Sequence, residues 1–199
     1  MTVFRAFSNE EVLDDLKAQV TDGKVFTDKE TLQKYSFSTK MTDEDSGLAL
    51  AYVEAHSTSD IQGTLKIARK YHIPVVPQAQ TTSTVVGSEG IEGSLLLSTV
   101  KMNRILEISK ADSLAVVEPG VINGDLDKAA REQGMFYAPD PGSRPMSGIG
   151  GNVATNAGGM STVKYGATKD NGLGVNVGLA EGRALMLGGR TLLPAFGFE

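Results

Sequence analysis

The 199-residue chain is 40 % apolar and 22 % charged with a net charge of −5, which suits one sizeable domain or two small lobes sharing a core and excludes wholesale disorder. An acidic balance without a Lys/Arg cluster argues against nucleic-acid binding. With no cysteine, disulfides, thiolate nucleophiles, Cys-ligated zinc and iron–sulfur clusters are removed together.

Ser8 and Glu11 stand at capping-box spacing, and Val12, Leu16 and Val20 recur at helical intervals, so a helix is expected over 9–20, ending near Gly23. Thr27 with Glu30 repeats the signature before a short helix ending near Tyr35. Residues 48–55 read as a strand, and Ser57 to Asp60 offers caps for a helix with Ile61, Leu65, Ala68 and Tyr71 on one face. A second strand follows from His72 to Pro77, giving a strand–helix–strand unit with a right-handed parallel crossover. The loop Gln78-Ala79-Gln80-Thr81-Thr82-Ser83 comes next, where N–H and O–H donors at the carboxyl end of a parallel strand suit a phosphate. Residues 93–98 read as a buried strand, and 105–109 with 114–118 as a hairpin turning at Lys110-Ala111-Asp112. Asn123 is expected to cap a helix running to Gln133, closed by Gly134. A single helical turn is expected over 152–156, and a final hairpin pairs 175–180 with 184–187 through Glu181-Gly182-Arg183.

The densest signal lies between Ala138 and Gly159, A-P-D-P-G-S-R-P-M-S-G-I-G-G-N-V-A-T-N-A-G-G. Glycine loses more backbone freedom on folding than any other residue, so such a cluster is costly to order. Backbone without Cβ atoms can point N–H groups at an anion or lie against a flat ring, and Gly150 and Gly151 beside the expected turn favour negative charge. A nicotinamide-type G-x-G-x-x-G fails because Val153 stands where the third glycine belongs and Pro-rich coil precedes it. No segment ends in the Gly-Lys-Ser/Thr of a phosphate-binding Walker loop. His56 and His72 have no second ligand at i+3 or i+4, so no metal site is expected; they read as a strand-end and a cap residue. Asp140, between two prolines, reads as a turn-former in preference to an acid or base.

P-D-P-G-S, then G-I-G-G-N-x-A-T-N-A-G-G and K-Y-G, resembles the FAD-binding domain of the p-cresol methylhydroxylase / vanillyl-alcohol oxidase superfamily, nearest its glycolate oxidase and D-lactate dehydrogenase branch. The resemblance covers the chain from about Thr27 to its end. It implies an α+β, two-lobed FAD-binding domain: a small parallel strand–helix–strand lobe over 27–83, and a mostly antiparallel lobe with flanking helices over 84–199, with the flavin in the cleft between them. By the same resemblance Pro77, Gln78, Ala79, Gln80, Thr81 and Thr82 meet the pyrophosphate, although Ala79 and Thr81 stand where glycines are common. Pro141, Gly142, Ser143, Gly148, Ile149, Gly150, Gly151 and Asn152 meet the isoalloxazine, ribityl and phosphate portions. Asn156, Gly158, Gly159, Tyr165 and Gly166 close the flavin pocket, and the backbone at Val177 meets the adenine. No histidine lies between Pro77 and Gly90, so the resemblance implies non-covalent FAD.

The resemblance also implies hydride transfer from a 2-hydroxy acid such as glycolate or D-lactate to the flavin. The groups that take the hydroxyl proton and hold the carboxylate would sit in a cap domain that these 199 residues do not contain, so the expectation is a flavin domain inactive alone and acting on substrate only when a cap is supplied. The alternative is a non-catalytic truncated remnant that folds or self-associates without flavin. No apolar run reaches membrane-spanning length, and a cytoplasmic protein is the expectation. Apolar surface around the central loop and over 192–198 predicts self-association.

Overall fold

The computed structural model describes residues 7–37, 46–85 and 87–190. The chain divides into two compact units: one holds 1–77, 84–98 and 178–184, the other 78–83, 99–177 and 185–199.

In the first unit, helix α1 (Asn9–Gln19) starts at Ser8, whose hydroxyl accepts from the Glu11 N–H. Strand β1 (Lys24–Phe26) and helix α2 (Lys29–Ser36) follow. Asp28, not Thr27, caps α2, accepting from the Thr31 N–H at 2.8 Å. A carboxylate is the stronger acceptor, so the cap moves one residue from the expected position. Strand β2 (Ala51–Glu54) is shorter than expected, and helix α3 (Thr58–Tyr71) opens on a complete Ser57/Asp60 capping box. Asp60, fully buried, accepts from the N–H groups of Thr21, Asp22, His56 and Ser57, joining the end of α1 to the start of α3. His72 ends α3 in the left-handed region at φ 55°.

Strands β3 (Val75–Gln78) and β4 (Leu95–Ser98) complete a sheet of order β1-β2-β4-β3. β2 and β4 are parallel, Ala51 opposite Leu95, and β1 is antiparallel to β2. The Leu95 N–H donates to Pro74 O and the Thr99 N–H to Gln78 O, an unchanging offset that makes β3 parallel to β4. The strand–helix–strand unit is thus parallel as expected, but β4 lies between its two strands. Leu95-Leu96-Leu97-Ser98 is buried on both faces, the run a central parallel strand requires. The core beside it gathers Leu32, Ala49, Tyr52, Val76 and Leu96. The tip of the last hairpin also belongs to this unit. Gln62 Nε2 donates to Gly182 O at 3.0 Å, and a Cβ on Gly178 would stand 3.1 Å from Leu65 Cδ1 and 3.2 Å from Ile61 Cγ2, so the glycine that weakens that strand is the residue α3 has room for.

In the second unit, strands β5 (Ile105–Ser109) and β6 (Leu114–Val117) form an antiparallel hairpin with a bulge at Leu106. Helix α4 (Asn123–Glu132) follows, and Gly134 closes it at φ +76°. Then come α5 (Ile149–Thr155), α6 (Thr162–Tyr165), α7 (Thr168–Asn171) and strands β7 (Gly174–Gly178) and β8 (Ala184–Gly188). Leu179 N–H to Arg183 O and Gly189 N–H to Leu173 O pair residues that converge along the chain, an antiparallel hairpin. Val121, Leu126 and Ile149 make a small core, flanked by Ile105, Val117 and Tyr137. Polar ties therefore hold much of this unit's coil. Among the described residues no helix is long and apolar enough to cross a membrane.

Candidate functional site

Except for Pro77, exposed on β3 in the first unit, every residue expected to touch a cofactor lies in the second unit. Its centre is the coil 138–148 wrapped on the start of α4. Asn123 was expected to cap α4, yet Ile122 is the cap residue and Asn123 is the first helical residue, with its side chain fully buried. Its Nδ2 donates to Pro139 O at 3.2 Å and to Asn152 Oδ1 at 3.0 Å, and its N–H to Ser147 O at 2.9 Å. One asparagine thereby fixes both ends of the Pro-rich coil. Asp127, one turn on, accepts from the Tyr137 N–H at 2.9 Å and pairs with Arg131 at 2.7 Å and with Arg144. Burial pushes its carboxyl up, but Arg131, the Tyr137 N–H and Arg144 outweigh this and hold it below the usual carboxylate range.

The glycine-rich helix is longer than a single turn: α5 runs from Ile149 to Thr155, and Asn156 ends it in the left-handed region at φ 48°. Two of its first N–H groups are already committed, Ile149 to Val121 O at 2.8 Å and Gly150 to Pro119 O at 2.7 Å. A Cβ on Gly150 would stand 2.6 Å from Pro119 Cβ, and one on Gly159 would overlap the Asp140 carbonyl. These two glycines are required by packing within the chain. Gly142 has nothing within 4 Å of its Cβ position and Gly151 only Ala79 Cβ at 3.7 Å, so there the bare backbone is not filled from inside the protein.

The first loop reaches the same place. Gln80 Nε2 donates to Gly120 O at 2.9 Å, and its carboxamide packs over Gly148. Thr81 takes φ 48°, the left-handed region in which a β-branched residue is strained. That dihedral is the physical reason for glycine to be common at its position. Asp140 serves as a long-range tie and not as the expected turn-former: its carboxylate accepts from Ser161 N–H at 2.9 Å and Ser161 Oγ at 2.7 Å, and those bonds lower its pKa. Asn156 Oδ1 accepts from the Lys169 N–H, and Ala157 O from the Thr168 hydroxyl at 2.7 Å, folding Gly158 and Gly159 back on α6 and α7. Gly166 closes α6 at φ +80°. Tyr165 is exposed, edge-on to Phe136 at 5.3 Å, and Val177 is half-buried on the hairpin β7–β8.

Among the buried polar atoms with no hydrogen-bond partner in the described residues are Gln80 Oε1, Asn123 Oδ1 and Ser147 Oγ. These belong to residues bonded to, packed on or adjoining the segment 147–152. Pro141 and Ser143 turn the chain into that segment, Pro141 O accepting from the Arg144 N–H and Ser143 O from the Ser147 N–H, each at 2.8 Å. Unpartnered polar atoms beside uncovered glycine backbone fit a flat ligand rich in polar groups such as FAD. Asn123 and Ser147 escape a reading of the sequence because an Asn before a helix reads as a cap and a Ser before Gly as a turn. Among the described residues no group of three metal-ligating side chains occurs.

A family model described as the FAD binding domain matches residues 49–188. The chain belongs to the FAD-binding domain family. Its cofactor is therefore FAD. It is 33 % identical over 190 residues to the glycolate oxidase subunit GlcD of Bacillus subtilis, covering 94 % of this chain and 40 % of that protein. It is 39 % identical over 147 residues to a D-lactate dehydrogenase of Anaerostipes hadrus, covering 74 % of this chain and 31 % of the relative. The solved structure of p-cresol methylhydroxylase with substrate bound superposes with a TM-score of 0.72 at 23 % identity, a likeness of fold alone; it covers 89 % of this chain and 35 % of that one. The α+β architecture and the FAD-linked oxidoreductase relationship expected from the motifs both hold. The chain spans less than half the length of these relatives.

Proposed function

We infer that this FAD-binding domain holds its flavin, without a covalent bond, for an oxidoreductase acting on a small 2-hydroxy acid such as glycolate or D-lactate. The observation that carries the reading is the uncovered backbone at Gly142 and Gly151 beside the unpartnered Ser147 hydroxyl, in a chain whose relatives are glycolate oxidase and D-lactate dehydrogenase. Bound FAD would supply the hydride acceptor, at the flavin N5. The chain's own work is to position the ring: Asn123 fixes the coil, Asp140 fixes the loop carrying Gly159, and the Thr168 hydroxyl holds Ala157. The loop 77–82 and the backbone at Val177 are proposed to contact the remainder of the dinucleotide. In this reading the single domain 1–199 holds flavin, and the groups that take the hydroxyl proton and hold the carboxylate lie outside these residues.

A titration of the purified chain with FAD, followed by flavin absorbance and fluorescence, tests the reading. Saturable binding is expected, weakened tenfold or more in Gly151→Ala, whose Cβ meets only Ala79 inside the protein. No binding by protein shown to be folded refutes it. The substrate assignment is tested anaerobically on the FAD-loaded chain. Glycolate or D-lactate should bleach the flavin only when the C-terminal remainder of the Bacillus subtilis relative is added. Failure to bleach in that mixture, with the two polypeptides associated, removes the 2-hydroxy acid assignment.

A further inference from the structure

Gln80, in the first loop, turns its carboxamide inward, and its surroundings are unusual on both sides of that group. Nε2 is satisfied by Gly120 O at 2.9 Å, whereas Oε1 is buried with no partner among the described residues. A buried carbonyl left without a donor is unfavourable relative to one that is paired. The carboxamide fills the place a side chain on Gly148 would take: a Cβ there would overlap Oε1 and lie 2.9 Å from Cδ and 3.1 Å from Nε2.

The neighbouring glycines are different. The spaces at Gly120, Gly150 and Gly159 are closed by backbone or by proline: Thr99 O at 2.5 Å and Val100 O at 2.7 Å, Pro119 Cβ at 2.6 Å, and the Asp140 carbonyl. None of these can be vacated without unfolding the loop. The space over Gly148 is closed by the end of a flexible side chain, which leaves by rotating its χ angles. The niche it would leave is polar: Gly120 O loses its donor there, and Ser147, with its unpartnered hydroxyl, adjoins Gly148. An acceptor and a hydroxyl match a neutral group bearing N–H or O–H donors, such as a polyol or an imide ring edge, better than they match a phosphate. The next residue, Thr81, is held at φ 48°. The loop is therefore strained at the residue that follows the wedge.

We propose that the Gln80 carboxamide is a displaceable stand-in for a neutral, donor-bearing part of FAD, so that Gln80 sets the affinity of this domain for its cofactor. The proposal rests on the FAD reading above. Binding breaks the bond from Gln80 Nε2 to Gly120 O and swings the side chain out; a residue without the carboxamide starts with the niche open. Because the apparent dissociation constant is the intrinsic one divided by the fraction in the open state, shortening Gln80 tightens binding, by about five- to tenfold for one neutral hydrogen bond no longer broken.

The test compares wild type and Gln80→Ala in FAD titrations followed by flavin fluorescence, with circular dichroism confirming that both fold. Without FAD, amide hydrogen exchange over 148–151 gives a second readout. Tighter FAD binding by Gln80→Ala, with faster exchange at those amides in the free protein, is the expected result. Binding by the variant alone would support the proposal further. Equal or weaker binding by the folded variant, or unchanged exchange, overturns the stand-in while leaving FAD binding intact. No FAD binding by either folded protein overturns both this proposal and the reading beneath it.

Discussion

Replacing Gly159 by alanine puts a methyl group where the chain already has a backbone carbonyl. The added Cβ would overlap Asp140 O and stand 2.6 Å from Asp140 Oδ1. Contacts under 3.0 Å are essentially never made by real Cβ atoms, so one of the two segments must move. Neither is free to do so. The Asp140 carboxylate is held by the Ser161 N–H and hydroxyl, Pro139 O by Asn123, and the Gly159 N–H donates to Thr162 Oγ1 at 2.7 Å. Overpacking a site that cannot relax costs about 1–3 kcal/mol, and a collision with backbone places Gly159→Ala near 3 kcal/mol. Gly142→Ala is the matched control, because nothing lies within 4 Å of its Cβ position, and it should stay within about 0.5 kcal/mol of wild type. Urea unfolding followed by circular dichroism, with equal slopes for the three proteins, measures both differences. A Gly159→Ala midpoint indistinguishable from that of Gly142→Ala would refute the claim that Asp140 and Gly159 are in fixed contact.

Asp60→Ala removes the acceptor of four backbone N–H groups, at Thr21, Asp22, His56 and Ser57, and should cost about 3–5 kcal/mol because four part-buried donors lose their partner at once; a urea midpoint shift below a third of that would contradict it. Thr81→Gly should stabilise the free protein by about 0.5–1 kcal/mol, the relief of a left-handed β-branched residue less the entropy of glycine, and a lower thermal midpoint would count against the strain. Arg104, bonded to the carboxylate, holds the Glu118 carboxyl below its usual range, and Asp127 is lowered against its burial by its arginines. Each folded-state pKa lies below the unfolded one, so their stabilisation is complete above about pH 4–5 and lost as pH falls through the folded values. Acid titration by circular dichroism should show this loss below about pH 4, and Arg104→Ala should move its midpoint upward. Met160 is 94 % exposed and Val163 100 %, with Met146 and Val153 also exposed in the same unit; light scattering should detect self-association at high concentration, and a clean monomer would exclude it. The second stretch expected to contribute, 192–198, lies outside the described residues.

Local chemistry alone determined a good share of this fold. Ser57 and Asp60 cap α3 as their position suggested, Ser8 caps α1, and Gly134 and Gly182 take the positive φ that turns demand. The hairpin 105–117 and the last hairpin are visible from turn residues between apolar runs, since each is decided within a few residues of sequence. The stretch 138–159 also shows itself, because glycine density is a property of composition. What no local pattern carries is which distant groups meet. Strand β4 enters between β2 and β3 because its four residues are buried on both faces, a position that depends on the whole sheet. Asn123 has the sequence signature of a cap and becomes instead the anchor of Pro139 and Asn152, for its side chain faces a core that forms only when the coil wraps α4. The glycines likewise look alike along the chain, yet Gly150 and Gly159 answer to Pro119 and Asp140, Gly148 to the movable Gln80, and Gly142 to nothing inside the protein. A missing Cβ has meaning only through what stands opposite it, and that is settled by tertiary packing.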